Sequence, residues 1–584
     1  MRALKRTAFL LALVTALGPL PLALAQEPPS YEGWLDAQEA VYPELTIEAE
    51  IPGAPLALEQ PGDQIDITVQ VQKAGLYQLE LDARALPARR GVIEYSILIN
   101  GEIPFRQAER VLARRVFEAA GPIERDSRGH DTRPDMVEMD LVQTLRPGDH
   151  NNHYAQPFYF HFRQGENTVS LRLLAERLAI HGLRLASAVQ LPDYAGYFAA
   201  LPDAAGGAES VVIQAEEAGR RSAETFYALA ARGDASLTPS DPVKTRLNTI
   251  GGYAWKQQGD WIEWPVEIKQ TGWYSLRLHA LNDFVRGMPT TRRLYVDGAV
   301  PFLEAQALSI PYAVSWQDWV FADGRGEPYL LYLTKGAHSL KLEVTPGGNA
   351  ASLRRLEDLI QRMNALYRKI IVITGDNADG SRVSIDLNRD FHLDKKIPGL
   401  IPELEAIAWE LRAEHENMAA YAGAGSEAAL LKQSAIQLDS FIERPDLIPA
   451  RLESYKGNLA GLSSWVLYMR EQPLQLDSLA LVPAGAKAAA AGASVLDSAR
   501  FRWQGFVGSF TEDYNAVGRI YEDGQAKPLQ VWVCANDLGA TGISSGRDQT
   551  QVMKELIDQD FVGRFGIPVN LSLIDGSTTL IQTT

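Results

Sequence analysis

The stretch AGLYQLELDARAL, residues 74–86, has a counterpart later in the chain, TGWYSLRLHALND, residues 271–283. Apolar and polar residues alternate in both, and this period of two is typical of a β-strand with one buried face. The repeated order of these stretches and of the segments that follow predicts two copies of one β-rich domain. In the first copy the later segments are ILINGEIPFRQA (97–108) and QGENTVSLRLL (164–174), and in the second copy they are LYVDGAVPFLEA (294–305) and KGAHSLKLEV (335–344). The first segment of each pair contains an Asn-Gly or Asp-Gly dipeptide, which favours a hairpin turn.

The two copies predict two antiparallel β-sandwiches of ordinary domain size, over residues 40–190 and 208–348. They open alike, with TIEAE at residues 46–50 and VIQAE at residues 212–216. A linker rich in Pro, Ala and Gly separates them at residues 201–208. The fold class expected for the whole chain is therefore multidomain, beginning with two sandwiches.

A helical region is predicted for residues 350–510. Apolar side chains recur at helical spacing in LRRLEDLIQRMNALYRKIIVI, residues 353–373. Two later helices are predicted over residues 426–443 and 447–470, and Pro473 ends the last of them.

The tail, residues 525–584, has the pattern of a β-α-β unit. Two apolar stretches, LQVWVC (529–534) and IPVNLSLI (567–574), flank an amphipathic helix. A β-α-β unit normally joins two parallel strands, so we expect the beginning of an α/β lobe here.

Residues 1–25 have the layout of a signal peptide: a basic start, a short apolar run and small residues before position 25. This layout predicts an exported protein, located in the extracellular space, at the cell surface or in the periplasm. No other stretch is long and apolar enough to cross a bilayer, so no transmembrane segment is expected in the mature chain.

Charge and residue types exclude several functions. The chain has 56 Lys and Arg against 73 Asp and Glu, and a net charge of −17 argues against a nucleic-acid partner. The single cysteine, Cys534, excludes an internal disulfide. No carboxylate pair has an assignable acid–base role and no histidine spacing is typical of a metal enzyme, so we expect no catalytic residues and no enzyme.

The segment QQGDWIEWPVEIKQTGWYSLRLHA, residues 257–280, resembles the signature of family 6 and family 35 carbohydrate-binding modules. The resemblance implies a jelly-roll sandwich that binds sugar. Sugar recognition needs aromatic faces and polar groups, which makes Trp255, Trp316 and Trp319 candidates, with Asp318 as the polar contact. The alternative for each tryptophan is packing in the core.

The same resemblance implies a possible structural Ca²⁺ held by the glutamate of the opening strand. That glutamate is Glu216 in the second copy and Glu50 in the first. Ca²⁺ takes six to eight oxygen ligands, and the others cannot be placed from the sequence. A solvated carboxylate is the alternative for Glu50. No other cofactor is expected.

The later segments resemble large bacterial extracellular solute-binding proteins of carbohydrate ABC importers, cut off within an incomplete periplasmic-binding-protein-like lobe. The resemblance rests on YRKIIVITGDN (367–377), RWQGFVGSFTEDYNAVGRIY (502–521), GRDQTQVMKELID (546–558) and FGIPVNLSLIDGSTTLIQ (565–582). It implies a sugar or oligosaccharide ligand and ABC permease subunits as partners. Two alternatives are a secreted glycan-binding surface protein and, more weakly, part of a glycoside-active enzyme.

Ligands of α/β lobes sit beyond the carboxyl ends of the strands, near helix N-termini. The candidate solute contacts after the two tail strands are therefore Asn536, Asp537, Arg547, Asp548, Asp575 and Ser577. Helix capping and solvent exposure are the alternative for Arg547 and Asp548.

Overall fold

The computed structural model describes residues 28–126, 128–188, 190–202, 209–375, 389–422, 428–486, 494–511, 516–517, 521, 527–534, 550, 552–554 and 556–574. The predicted signal peptide, residues 1–25, lies outside them, so export stays a prediction. The chain divides into two compact units. The first contains the residues up to Ala113 with 142–147 and 157–188, and the second contains 114–141, 148–156 and the residues from 189 onward.

The strands up to residue 186 belong to the first copy of the repeat in sequence. In chain order they are β1 (Ile47–Glu48), β2 (Leu56–Leu58), β3 (Gln64–Val71), β4 (Gly75–Ala85), β5 (Ile93–Ile99), β6 (Val111–Ala113), β7 (Phe117–Ala119), β8 (Glu124–Arg125), β9 (Asp131–Thr132), β10 (Met136–Glu138), β11 (Val142–Leu145), β12 (Tyr159–Phe162), β13 (Gly165–Ala175) and β14 (Leu178–Ala186).

Two antiparallel sheets make up the first unit. One has the order β1-β14-β4-β11, with β2 on β14 and β12 on β4, and the other has the order β3-β13-β5-β6. The alternation read from the sequence matches the burial: along β3, Ile67, Val69 and Val71 are buried while the residues between them are exposed. The sheet that contains β3 therefore has one apolar face along this strand, as the two-residue period predicts.

The strands of the second copy and of the tail follow. They are β15 (Val211–Gln214), β16 (Arg220–Arg221), β17 (Ala228–Leu229), β18 (Thr249–Gly252), β19 (Trp261–Ile268), β20 (Gly272–Asn282), β21 (Thr290–Val296), β22 (Leu308–Ile310), β23 (Ala313–Val320), β24 (Leu330–Leu333), β25 (Gly336–Val344), β26 (Leu474–Pro483), β27 (Ala516–Val517), β28 (Leu529–Cys534) and β29 (Val569–Ile574).

The helices, in chain order, are α1 (Tyr31–Asp36), α2 (Tyr194–Ala200), α3 (Ala350–Thr374), α4 (Leu393–Lys396), α5 (Leu400–Ala422), α6 (Ala429–Glu443), α7 (Leu452–Arg470), α8 (Val495–Thr511) and α9 (Val562–Phe565). Within the described part of the chain, no helix is both long and apolar enough to cross a membrane.

The second sandwich repeats the strand order of the first. One sheet runs β10-β7-β16-β19-β25-β21-β22, and the other runs β17-β18-β26-β20-β23, with β15 on β26 and β24 on β20. The run β19-β25-β21-β22 corresponds to β3-β13-β5-β6, and β26-β20-β23 corresponds to β14-β4-β11. Both predicted stretches, residues 75–85 and 272–282, are strands of the same length, so the predicted repeat of β-domains is confirmed.

The core of this sandwich contains side chains from both sheets, among them Trp264 and Leu342 from one and Leu278 and Leu476 from the other. Leu476 lies on β26, which follows the helical region in sequence. The sandwich therefore extends beyond the predicted range of 208–348. It also includes β7 and β10 from residues 114–141, which add an edge to one sheet.

The predicted helical region, 350–510, needs a corresponding correction, because β26 interrupts it. This strand pairs along most of its length with β20 and also with β15 and β18. Its sequence, LQLDSLALVP, alternates like the other strands. The helices α3 to α7 are thus inserted between the last two strands of the sandwich, β25 and β26.

Both ends of this insertion meet at one residue of the sandwich. The hydroxyl of Thr291 donates to the carbonyl oxygen of Thr345, and the amide of Thr291 donates to Oε1 of Gln472 (3.0 Å). The buried guanidinium of Arg292 also donates to the carbonyl oxygen of Gln472 (2.8 Å). The chain leaves and re-enters the sandwich at neighbouring points.

The long helices α3, α5, α6 and α7 pack around one apolar core, which includes Met363, Leu411, Leu438 and Leu462. The hydroxyl of Tyr455 donates to the carbonyl oxygen of Met363 (2.9 Å), linking α7 to α3. The last helix was predicted to start at 447 but starts at Leu452. Short 3₁₀ turns led by prolines occupy residues 445–451, because proline has no backbone N–H to donate.

The two described strands of the tail form a three-stranded sheet with β27, which precedes the tail, in the order β27-β29-β28. The predicted parallel pairing is observed: Leu529 to Cys534 align with Val569 to Ile574. The antiparallel β27 was not predicted.

Candidate functional site

The candidate site lies on the face of the second sandwich that points away from its core. Along β20, Leu276, Leu278 and Ala280 point into the core. Since successive side chains of a strand point to opposite faces, Arg277 and His279 point outward. The neighbouring β23 places Asp318 directly opposite His279 in the register.

His279 connects the groups of this face. Its Nδ1 lies 2.8 Å from Oδ1 of Asp318, and its imidazole ring stacks on the indole of Trp316 with 5.7 Å between ring centroids. The imidazole is almost fully buried, whereas the side chain of Asp318 is 34% exposed. Asp318 and the half-buried Trp316 therefore form the solvent-facing part of a rigid surface, which we call the Trp316 face.

A loop after β17 borders the Trp316 face. The hydroxyl of Ser236 lies 3.3 Å from Nε2 of His279 and donates to Oδ1 of Asp234 (2.7 Å). The backbone amide of Thr238 donates to Oδ1 of Asp477 on β26 (2.8 Å). Burial raises the pKa of Asp477, and this amide opposes the rise.

The structure separates the four residues predicted to contact sugar. Trp316 and Asp318 lie together on the outer face. Trp319 pairs with Leu278 and packs against the core, so it points to the opposite face of the sheet. Trp255 is fully buried, and its Nε1 donates to the carbonyl oxygen of Asp260 (3.2 Å). The prediction of Trp255 as a sugar contact is corrected: a ring enclosed by the core offers no face to a ligand.

The arrangement suits a pyranose. An aromatic face packs against sugar C–H groups, and a carboxylate accepts hydrogen bonds from hydroxyls. Trp316 supplies the first and Asp318 the second. Because the ring of Trp316 is braced by His279, little side-chain freedom would be lost on binding.

The predicted calcium ligand Glu216 is buried beside other acidic groups. It is 6% exposed, and its Oε2 has no hydrogen-bond partner among the described residues. Burial raises its pKa to about 8, and the charges of Asp477, Glu217 and Asp131 contribute. A buried, unpartnered carboxylate oxygen near other carboxylates fits a cation. Asp477 is the neighbour that the sequence analysis missed.

The coordination shell would need backbone oxygens as well. Among the residues that the structure describes, no group of three or more His, Cys, Asp and Glu side chains is placed to hold a metal. Glu50, the corresponding glutamate of the first copy, is exposed. This position fits the alternative of a solvated carboxylate.

The candidates of the tail lobe cannot be located. Asn536, Asp537, Arg547, Asp548, Asp575 and Ser577 lie outside the described residues. They remain predictions from the sequence.

His279 and Asp477 were not predicted, for different reasons. His279 stands at an outward position of the strand that defined the repeat, so the alternation of that strand could have identified it. Asp477 lies on β26, whose alternating sequence was assigned to the helical region, so its strand was not recognised.

Comparison with known proteins gives one family match. Residues 351–458 match the model of the bacterial solute-binding protein 4-helix bundle domain. This range covers α3 to α6, apart from the first residue of α3, and enters α7. No curated protein matches the chain significantly.

Solved structures resemble only parts of the chain. A family 35 carbohydrate-binding module from Clostridium thermocellum is 19% identical over 24% of this chain and 87% of its own, with a TM-score of 0.17. A cycloisomaltooligosaccharide glucanotransferase from Paenibacillus sp. is 22% identical over 23% of this chain and 16% of its own (TM-score 0.17). An isomalto-dextranase from Arthrobacter globiformis is 11% identical over 50% of this chain and 33% of its own, with a TM-score of 0.16.

TM-scores this low carry no argument about fold or function, and this chain spans only a small part of both enzymes. The family match stands apart from them, because it coincides with a set of helices that pack around one core. Residues 351–458 therefore form a domain of the kind found in bacterial solute-binding proteins.

Proposed function

We propose that this chain is the exported, non-catalytic solute-binding component of a carbohydrate ABC importer. The observation that carries the proposal is the match of residues 351–458 to the helical domain of bacterial solute-binding proteins. The tail would begin the lobe that presents the solute to the permease, as its parallel strands β28 and β29 suggest.

The Trp316 face supports a carbohydrate as the ligand. It combines an aromatic ring with a carboxylate on one sheet, and ligand sites generally pair aromatic side chains with a few placed polar groups. The acidic chain, with its net charge of −17, favours neutral sugars over polyanions.

A second candidate is a glycan-binding surface protein that works through its sandwiches alone. The location of the Trp316 face on a sandwich, outside the tail, favours it. A glycoside-active enzyme is a third and weaker candidate, because no pair of carboxylates in the sequence has an assignable acid–base role.

Glu216 would hold a structural Ca²⁺, with Asp477 as a second carboxylate and backbone oxygens completing the shell. The ion would neutralise buried negative charge beside the Trp316 face. It would take no part in a reaction.

The test is calorimetric titration of the full chain with neutral oligosaccharides of glucose, mannose and xylose. Binding should weaken about fivefold to 150-fold in Trp316→Ala, because stacking on one aromatic side chain contributes about 1–3 kcal/mol, the scale found for bases. Trp409→Ala is the matched control, since Trp409 lies exposed on α5 (70%), within the helical domain. Absence of binding to every sugar would refute the sugar-binding role.

Uptake separates the first two candidates. Deleting the gene from its bacterium should abolish uptake of the radiolabelled sugar that binds best. Unchanged uptake with retained binding by the purified chain would favour the surface glycan-binding protein.

A further inference from the structure

A second aromatic surface borders a groove in the same unit. The groove has a volume of about 600 Å³ and lies between the loop at residues 240–243 and one side of α8. We propose that this groove is a second carbohydrate subsite, with Trp503 as its stacking platform. The proposal rests on the sugar-binding function proposed above and extends it to a site on another element.

The loop wall of the groove is held in place by Asp241. Its Oδ1 accepts the backbone amides of Val243 (2.9 Å) and Lys244 (2.8 Å), and its Oδ2 accepts Nη2 of Arg246 (3.0 Å). Burial raises the pKa of Asp241, but these amides and the guanidinium of Arg246 lower it overall, so the carboxylate stays ionised. Arg246 also binds Asp131 (3.0 Å), which ties the loop to a second segment. The wall is therefore formed before any ligand binds.

The helical wall meets the loop at Gly505, while Trp503, Gln504 and Val507 of the same helix line the groove. Gly505 faces Pro242, and a Cβ atom at Gly505 would lie 3.6 Å from the ring and the carbonyl oxygen of that proline. The helix begins at a reciprocal cap, in which Ser494 and Asp497 exchange hydrogen bonds. Its position against the loop leaves room for the groove beside this contact.

The groove offers the two kinds of contact that a sugar uses. Trp503 is 67% exposed, and its ring centroid lies 5.9 Å from that of Phe506. Ser240 and Gln504 provide hydroxyl and amide groups, while Val243 and Val507 provide apolar contacts. The volume is within the range of small-ligand pockets and suits a short oligosaccharide.

The position of the groove favours a glycan over a protein as its occupant. The loop that forms one wall also supplies Ser236 and Thr238, which border the Trp316 face. One loop thus connects both aromatic surfaces. Two surfaces on a continuous loop increase the affinity for a polymer that offers many copies of the same unit.

The test counts binding sites by calorimetric titration of the full chain with cellotriose, mannotriose and isomaltotriose. We expect two sites per chain in the wild type and in Trp409→Ala. Trp316→Ala and Trp503→Ala should each leave one site, and the double variant none. Val243→Trp, which fills the groove while keeping Trp503, should also leave one.

The other outcomes are decisive as well. A single site that Trp316→Ala removes and Trp503→Ala leaves intact would overturn the groove subsite and keep the proposed function. No binding of any trisaccharide would overturn both. Self-association by sedimentation that disappears in Trp503→Ala, with sugar binding unchanged, would identify the groove as a contact between copies and overturn the subsite.

Discussion

The indole of Trp316 lies nearly parallel to the imidazole of His279, with 19° between the ring planes. Because Nδ1 of the same imidazole is hydrogen-bonded to Asp318, one buried histidine orients both the aromatic and the acidic group that face the solvent. His279 thus fixes the orientation of both side chains of the proposed sugar-binding surface, although it is itself almost fully buried.

The carboxylate of Asp318 should be needed for sugar binding. Asp318→Asn keeps the shape but removes the charge, and we expect affinity to fall roughly tenfold to a hundredfold, since a hydrogen bond to a charged group contributes about 1.5–3 kcal/mol. Asp297→Asn is the matched control, because Asp297 forms another aspartate–histidine pair with His338 (2.7 Å) on the same sandwich. Equal losses in the two variants, measured by calorimetry, would contradict the role of Asp318.

Trp255 should matter for stability. Its ring is enclosed in the core, and the guanidinium of the buried Arg292 lies 4.1 Å from the ring centroid. Trp255→Ala should lower the free energy of unfolding by about 3–5 kcal/mol, as is usual for a large core aromatic. The exposed Trp409→Ala should change it by less than about 0.5 kcal/mol. Denaturant unfolding measures both, and a Trp255 variant as stable as the wild type would show that the ring is dispensable.

Glu216 should make stability depend on pH. Its folded pKa is about 8, against an ordinary value of 4.5. Between these values the folded state keeps the carboxyl protonated while the unfolded state ionises it, so stability falls as pH rises through this window. The side chain of Glu216→Gln stays neutral in both states. As the pH rises from 5 to 8, the free energy of unfolding of the variant should therefore increase by up to about a few kcal/mol relative to that of the wild type.

Calcium provides the second arm of this test. At pH 8, Ca²⁺ should raise the Tm of the wild type and of Glu209→Gln, whose exposed side chain makes it the control, but not that of Glu216→Gln. If the free energy of unfolding depends on pH in the same way in the wild type and in Glu216→Gln, the raised pKa of Glu216 is ruled out. If Ca²⁺ also changes the Tm of both proteins equally, a Ca²⁺ site at Glu216 is ruled out.

Truncation should show that the second sandwich needs β26. A chain of residues 28–348 contains the whole predicted sandwich but lacks the strand that pairs with β20. We expect the amides of β20 to exchange rapidly in 28–348 and slowly in 28–486, as read by hydrogen-exchange mass spectrometry. Slow exchange of β20 in the shorter chain would mean that β26 is not required.

The sequence predicted strands where the pattern was local. Residues 75–85 and 272–282 alternate over their whole length, and both are strands. It could not predict that residues 474–483 belong to the sandwich, because the pairing partner of β26 on β20 lies far away in sequence, beyond the helical domain. An alternating pattern shows that a strand is present, but not which sheet receives it.

The same limit applies to the candidate site. The excess of tryptophans in the second copy was visible, but Trp255 and Trp316 could not be told apart, since both are large aromatics in a sandwich. Only the packing separates them: Arg292 and Asp260 enclose Trp255, whereas Trp316 lies on the outer face. A family signature locates the domain without locating its ligand.

The hydrogen bonds from Thr291 to Thr345 and Gln472 have a consequence for the order of folding. The sandwich cannot close until β26 reaches β20, and a disordered insertion would make that closure slow and entropically unfavourable. Helices that fold first by local contacts would bring the two ends of the insertion together and deliver β26 to its place. We expect pulse-labelled hydrogen exchange to find the amides of α3 and α7 protected before those of β26, because the folded helical domain holds the two ends of the insertion together. Protection of β26 before the helices would contradict this order of folding.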